Sequence, residues 1–196
     1  MYRDNMNTNN VVRAFNTLKE MIDDRGLPND LHDIDNERFI SIISNDTGGM
    51  SHVHVNDRIA VLFSVTGKLK VSDTLQYIKD IGKERVIVVS RDKMNTNFVR
   101  NLSKSNDTDV VVELFYLKEL LFNPYRHELV PKHRILSKEE ANDVVTTLKL
   151  RAKSQLPIIH HEDPISRHLG IESGDIVCVT RHSRSAGTHN VYRFCV

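Results

Sequence analysis

Apolar residues recur at helical spacing near the start of the chain. These positions are Val11, Phe15, Leu18 and Ile22. The spacing predicts an amphipathic helix that buries them on one face. Asn9 or Asn10 is available as the N-cap, and Gly26 follows the last turn. A second helix is predicted over residues 37–43, and the polar composition of residues 45–49 predicts a turn or loop.

The apolar pattern then changes period. Nearly continuous apolar runs predict strands over residues 59–63, 85–90 and 110–115, and helical spacing predicts helices over residues 72–81 and 94–103. Strands of this kind, alternating with short helices, are typical of a partly parallel sheet with helices on its faces. This part of the chain is therefore predicted to be α/β.

Local capping signals dominate the last third of the chain. Ser137 and Glu140 have the spacing of a capping box, which contributes about 1 kcal/mol and starts a helix. The buried stripe predicted for that helix is Ala141, Val144, Val145 and Leu148. Asp163 and Pro164 supply an N-cap and a first-turn proline, and Gly170 a left-handed stop, so a short helix lies between them.

The chain ends in two predicted strands, over residues 176–180 and 191–196, joined by a polar turn over residues 181–190. The side chains that alternation places on one face of the last strand are Tyr192, Phe194 and Val196. The whole chain is thus predicted to be α+β. An α/β domain with a mixed sheet is expected over residues 1–123, followed by a small α+β domain over residues 124–196.

Composition adds few constraints. With 39% hydrophobic and 27% charged residues, the 196-residue chain is typical of a globular protein. Its 27 Lys and Arg balance 26 Asp and Glu, so contacts with nucleic acid must be local or shared with partners. No apolar window reaches the ~20 residues that cross a bilayer, so no membrane partner is expected. Cys178 and Cys195 form no C-x-x-C pair and are interpreted as buried free thiols.

Several motifs resemble catalytic or metal sites but are incomplete. Gly67 and Lys68 lack the remainder of a P-loop, and no lysine follows Asp or Glu at the two-residue spacing of many metal-dependent nucleases. His52 and His54 would share one face of a strand. Because no third ligand is clustered with them, a solvated loop or strand is favoured over a metal site. No catalytic residue, metal or cofactor is predicted.

Histidines cluster in the last third without a zinc or nucleophile spacing. They are His127, His133, His160, His161, His168, His182 and His189. The run HELVPKHRILSKEE over residues 127–140 resembles the signature shared by the fifth subunit of eukaryotic RNA polymerases and its shorter archaeal counterpart. The segments KSQLPI, DPISRHLG, SGDIV and GTHNVYR follow in the family's order, and RAF, KEM and DRG near the start resemble the first helix of the eukaryotic subunits.

The resemblance implies a non-catalytic subunit of a nuclear DNA-directed RNA polymerase. It implies that the second domain anchors the chain to the largest subunit, beside other polymerase subunits, while the first forms part of the jaw near downstream double-stranded DNA. Transcription regulators are further expected partners. The family signature positions, as candidates for the largest-subunit interface, are His127, Pro131, His133, Gln155, Pro157, Asp163, Pro164, Arg181, Tyr192 and Arg193. Arg91, Lys93 and Asn95 follow a predicted strand and open a helix, so they are candidates for phosphate contacts.

Two departures and two alternatives accompany this interpretation. Arg184 stands where the family usually has glutamate, and residues 27–59 are shorter than the eukaryotic counterpart. These departures also fit a virally encoded member, which would be located in the cytoplasm or the virion.

One alternative function is a free-standing adaptor that binds transcription regulators without joining a polymerase. The other is a degenerate or metal-independent nuclease built on the N-terminal sheet. Co-purification at high salt and plasmid nicking distinguish them.

Overall fold

The computed structural model describes residues 8–44, 50–64, 70–91, 110–183 and 187–196. The chain divides into two compact units, Met1–Phe122 and Asn123–Val196. Each unit has its own sheet and its own buried clusters, so each is described by itself.

The first unit is built on a four-stranded sheet in the order β1-β2-β3-β4. Its described strands are β1 (Met50–His54), β2 (Ile59–Ser64), β3 (Arg85–Ser90) and β4 (Val111–Tyr116). Its described helices are α1 (Thr8–Asp24), α2 (Asn36–Ser44) and α3 (Val71–Ile81), with 3-10 turns at Asp30–Asp33 and Leu117–Leu120. β1 is antiparallel to β2, whereas β2, β3 and β4 are parallel. The prediction of a mixed α/β sheet is confirmed.

Helices cover both faces of this sheet. Val61 and Phe63 of β2 pack in the cluster that contains α1 and α2, while Leu62 between them packs in the cluster with Ile78 of α3. Both faces of the central strand are thus covered, so every residue of β2 is buried. This explains its continuous apolar sequence.

The predicted first helix forms with its four apolar residues buried, and Gly26 after it has the left-handed φ of +67°. The N-cap prediction was wrong, because the helix already begins at Thr8 and Asn9 and Asn10 lie inside its first turn. First-turn N–H groups have no intrahelical acceptor in any helix, so asparagine is tolerated there. The predictions for residues 45–49 and 94–103 and for Gly67 and Lys68 lie outside the described residues.

The second unit contains a smaller sheet in the order β5-β7-β8-β6. Its described strands are β5 (Lys132–Ile135), β6 (Ile158–Ile159), β7 (Ile176–Ser183) and β8 (Gly187–Cys195). Its described helices are α4 (Lys138–Thr147) and α5 (Pro164–Leu169), with 3-10 turns at Pro124–Arg126 and Lys153–Gln155. β7 is antiparallel to β5 and β8, and β6 is parallel to β8.

One helix covers each face of the second sheet. Val177 and Val179 pack with Ile165 and Leu169 of α5, while Cys178, between them in the strand, packs with α4. The α4 capping box is confirmed: the Ser137 hydroxyl accepts from the Glu140 N–H at 3.1 Å, and the Glu140 carboxylate accepts from the Ser137 N–H at 2.9 Å. Cys178 and Cys195 are confirmed as buried free thiols, and burial raises the pKa of Cys195.

Three predictions for the second unit were wrong. Leu148 is 47% exposed, because α4 ends at Thr147 and the chain turns away at Lys149, where φ is +50°. The terminal strands extend through Ser183 and from Gly187, so most of the predicted polar turn is a two-stranded ladder without a buried face. Val196 is exposed beyond β8, whereas Tyr192 and Phe194 share one face as predicted, and the structure shows that this is the α4 face.

Candidate functional site

Four signature residues act on the imidazole of a fifth, His133. This half-buried side chain lies on β5, and its Nδ1 is 2.7 Å from the carbonyl oxygen of Pro131. Because a carbonyl only accepts, Nδ1 carries the proton and Nε2 is left as the acceptor of the neutral ring. The hydroxyl of Tyr125 donates to the His133 carbonyl oxygen at 3.1 Å. The orientation of His133 is therefore fixed at both its ring and its backbone.

Charged signature residues surround this ring. Burial lowers the pKa of His133, the bond to Pro131 and the charge of Asp163 raise it, and the cations Arg193 and Arg181 lower it further. The sheet register explains why the two arginines are near, since His133 pairs with Val179, two residues before Arg181, on the face that also carries Arg193. The structure thus groups Pro131 and His133 with Asp163, Arg181 and Arg193, which lie much further along the chain.

Asp163 and Pro164 form the predicted start of α5. The Asp163 carboxylate accepts from the N–H of Ile165 at 2.9 Å, Pro164 occupies the first helical position, and Gly170 ends the helix with φ of +70°. These roles need no partner, because each satisfies a requirement of the helix itself. On the same helix, His168 is buried and stacks on Tyr125 with ring centroids 6.0 Å apart.

Gln155 closes the turn before β6, and Pro157 and Arg193 tie the edge strand β6 to the sheet. The Gln155 side-chain oxygen accepts from the N–H of Arg151 at 2.6 Å, and the Pro157 carbonyl accepts from the N–H of Phe194 at 2.9 Å. The Arg193 guanidinium donates to the carbonyl of Ile158 at 2.9 Å. Each of these signature residues therefore shapes the backbone of its own unit.

His127 and Tyr192 lie apart from the His133 group. The exposed His127 ends the Pro124–Arg126 turn, and its Nδ1 accepts from the N–H of Leu129 at 3.2 Å, so its tautomer is the reverse of that of His133. Tyr192 packs in the cluster on the α4 face of the sheet. His127 thus stabilises a turn, and Tyr192 contributes a contact in the core.

Pro131 and Arg181 line an open groove of about 750 Å³ at the end of the sheet. Residues 128–132 form one wall and residues 180–182 the other. Arg181 is exposed on β7, and not in a turn as predicted. The sequence patterns did not identify Tyr125, Leu129 or Lys132 as functional candidates, although Leu129 is an apolar residue in a polar stretch.

In the first unit, Arg91 is exposed directly after β3, at the carboxyl end of the parallel strands. Lys93 and Asn95, the other candidates for phosphate contacts, lie outside the described residues. Arg91 also borders a small recess with Val11, Phe63 and Leu117.

His52 and His54 lie on β1, with ring centroids 4.9 Å apart. His52 Nδ1 is 2.9 Å from the hydroxyl of Tyr77, and the pKa of His54 is lowered by burial and then by His52 and Lys83. Across the described ranges, no group of three or more His, Cys, Asp or Glu residues could hold a metal ion. Likewise, no helix in the described part of the chain is long and apolar enough to span a membrane.

The fold and the His133 group define a two-unit α+β protein whose second unit is a small mixed sheet with one helix on each face. The family model described as RNA polymerase Rpb5, C-terminal domain, matches residues 122–195. The chain is 36% identical over 144 residues to the "DNA-directed RNA polymerases I, II, and III subunit rpabc1" of Dictyostelium discoideum, an alignment that covers 71% of this chain and 73% of the relative.

Two further relatives span the two units differently. The "DNA-directed RNA polymerase subunit Rpo5" of Archaeoglobus fulgidus is 49% identical over 70 residues, which cover 36% of this chain and 91% of that protein. The "DNA-directed RNA polymerases I, II, and III subunit RPABC1" of Caenorhabditis briggsae is 28% identical over 183 residues, covering 92% of this chain and 82% of the relative. The chain therefore belongs to the Rpb5 family, the fifth subunits of DNA-directed RNA polymerases.

Proposed function

We propose that the chain is a non-catalytic subunit of a multisubunit DNA-directed RNA polymerase. Residues 124–196 are its assembly domain, anchored to the largest subunit, and residues 1–123 are its jaw-like domain near downstream DNA. The observation that carries the proposal is the similarity to a relative named as a polymerase subunit over 73% of that relative's length. By the same similarity to eukaryotic subunits, we assign the chain to the nucleus.

The chemistry of the signature residues supports an anchoring role. Pro131, Gln155 and Asp163 direct polar atoms to the backbone or to side chains of their own unit. Such residues specify the shape of a surface, and shape complementarity is what a stable subunit interface requires. His133 and Arg193 are likewise bonded to carbonyl groups. Nucleotide chemistry is assigned to the other subunits.

Lysine-reactive crosslinking of the purified polymerase tests which unit anchors the chain. Lys138 and Lys149 are exposed on the second unit, and Lys70 and Lys79 are exposed on the first. We expect Lys138 and Lys149 to crosslink to the largest subunit, and Lys70 and Lys79 to give few such crosslinks. The reverse pattern would contradict the assignment of the anchor.

The jaw assignment rests on Arg91, exposed after β3, with Lys93 and Asn95 next in sequence. Replacing Arg91 and Lys93 with glutamate should reduce the salt dependence of DNA retention by the assembled polymerase, lowering its log–log slope by about 2. The matched control replaces the exposed Lys79 and Lys118 with glutamate. Equal retention by the wild type and the Arg91 and Lys93 variant at every salt concentration would exclude the contact.

A further inference from the structure

β7 extends beyond the strand that covers one of its edges. β5 pairs with β7 only as far as Lys132 and Thr180, whereas β8 pairs with β7 as far as Ser183. The last residues of β7 therefore have a neighbouring strand on one side only.

The direction of the backbone groups follows from one hydrogen bond. The N–H of Leu136 donates to the carbonyl of Ile176 at 3.0 Å, so the Ile176 carbonyl points towards β5. Backbone groups alternate between the two sides along an antiparallel strand. By this alternation, the backbone N–H and carbonyl groups of Thr180 and His182 also point towards the β5 side. β5 reaches Thr180, and within the described residues nothing of β5 lies opposite His182.

The turn before β5 keeps this edge open. Continued register would place Pro131 opposite Arg181 and Val130 opposite His182. The N–H of Val130 already donates to the carbonyl of His127 at 2.9 Å, inside a turn. The chain before β5 therefore lines a groove beside β7 and does not close it.

The groove has a distinct chemistry. Leu129 in its wall is 83% exposed. Lys132 and Arg181 extend from its two walls, and neither side chain has a hydrogen bond or ion pair with another residue of the described ranges. Glu128 supplies one opposing charge. A partner segment with carboxylates and an apolar side chain complements these walls.

We infer that the open edge of β7 at His182 takes an extended acidic segment of the largest polymerase subunit by strand addition. This inference rests on the proposed anchoring function. The added strand occupies the position that β5 vacates, exchanges backbone hydrogen bonds with His182, and places carboxylates beside Lys132 and Arg181. The largest subunit is the occupant because Pro131 and Arg181, which line the groove, both belong to the signature positions of the proposed anchor.

The open edge can be tested first in the isolated chain. Amide exchange followed by NMR should be faster at His182 than at the adjacent Arg181, whose backbone points towards β8. Assembly into the polymerase should slow exchange at His182 at least tenfold. An already protected His182 amide in the free chain, or one unaffected by assembly, would overturn strand addition.

The occupant is identified by photo-crosslinking in the assembled polymerase. A benzophenone amino acid replaces His182 in the full chain, and the control carries it at Asn142, exposed on α4 and outside the groove. The expected result is a crosslink from position 182 to one Asp- or Glu-containing segment of the largest subunit, which position 142 does not reach. Crosslinks only to a regulator, only to another subunit, or to nothing would overturn the inference.

Charge reversal separates failure of the inference from failure of the proposed function. The variant carries Lys132→Glu and Arg181→Glu, and its control carries Lys138→Glu and Arg151→Glu, all at exposed positions. Recovery of polymerase at high salt should fall at least tenfold for the first variant only. Recovery equal to wild type would overturn the inference while the subunit assignment stands. Absence of polymerase with the wild-type chain would overturn both.

Discussion

Arg25 and Glu113 are 88 positions apart in sequence, and their side chains form a two-point ion pair, with Nη2 to Oε2 at 2.6 Å and Nη1 to Oε1 at 3.0 Å. Arg85 binds the same carboxylate. Only 3% of the Arg25 side chain and 17% of the Glu113 side chain are exposed. The pair therefore connects the end of α1 to β4 in an environment with little solvent screening.

Removing the Arg25 guanidinium should destabilise the first unit strongly. Arg25→Met keeps most of the aliphatic volume but leaves Glu113 with Arg85 as its remaining cation, and the expected loss is about 3 kcal/mol. The matched control is Arg58→Met, because Arg58 pairs with Glu84 at 3.9 Å with both side chains over 70% exposed. Its expected effect is below about 0.5 kcal/mol. Urea unfolding of the full chain measures the free energy of unfolding of both variants. Equal losses of stability in the two variants would contradict a stronger contribution from the buried pair.

The same carboxylate should make stability depend on pH. Burial acts to raise the pKa of Glu113, but the charges and hydrogen bonds of Arg25 and Arg85 outweigh it and lower the pKa. The unfolded pKa is about 4.3. The carboxylate's stabilisation is thus present above the unfolded pKa and is lost as pH falls through the lower folded value.

Glu113→Gln provides the comparison for this pH effect. At pH 7 the variant should be less stable than the wild type, and the difference should shrink as pH falls from about 5 towards 3. Thermal unfolding across this range measures the difference. A difference that stays constant with pH would show that ionisation of Glu113 does not contribute.

Removing the positive or the negative charge beside His133 should shift the pKa of its ring in opposite directions. Arg181→Gln removes a cation and should raise the pKa of His133. Asp163→Asn removes an anion while an asparagine can still cap α5, so it should lower that pKa. NMR titration of the His133 ring in the two variants measures both shifts. Shifts of the same sign, or none, would contradict the placement of these charges around the ring.

The capping box of α4 should be measurable in isolation. Ser137→Ala removes the acceptor for the Glu140 N–H and should cost about 1 kcal/mol. Ser154→Ala is the control, because Ser154 is exposed in a short 3-10 turn and its hydroxyl bonds to no residue in the described part of the chain. Chemical denaturation compares the two variants. A cost for Ser154→Ala as large as that for Ser137→Ala would argue against the cap.

Sequence patterns predicted those elements whose cause is local. β2 could be recognised because both its faces are buried, and α5 because Asp163, Pro164 and Gly170 punctuate it. β5 and β6 were not predicted, because they have four and two residues and depend on pairing with distant strands. The same reason hides the ion pair between Arg25 and Glu113, which has no local spacing.

The candidate site divides in the same way. The cap at Asp163 follows from neighbouring residues, whereas the gathering of His133, Arg181 and Arg193 depends on the register of β5, β7 and β8. The open edge at His182 also depends on that register. The polar sequence of residues 181–190 predicted a turn because no buried face reveals the two paired strands.

The most direct test of the subunit assignment is purification of the tagged chain from its native source at high salt, with quantitative mass spectrometry of what remains bound. The account predicts two very large polymerase subunits at equal stoichiometry with the chain, and promoter-independent RNA synthesis in the same fraction. Recovery of the chain alone, or with regulators only in trace amounts, would contradict a core polymerase subunit and favour a free-standing adaptor.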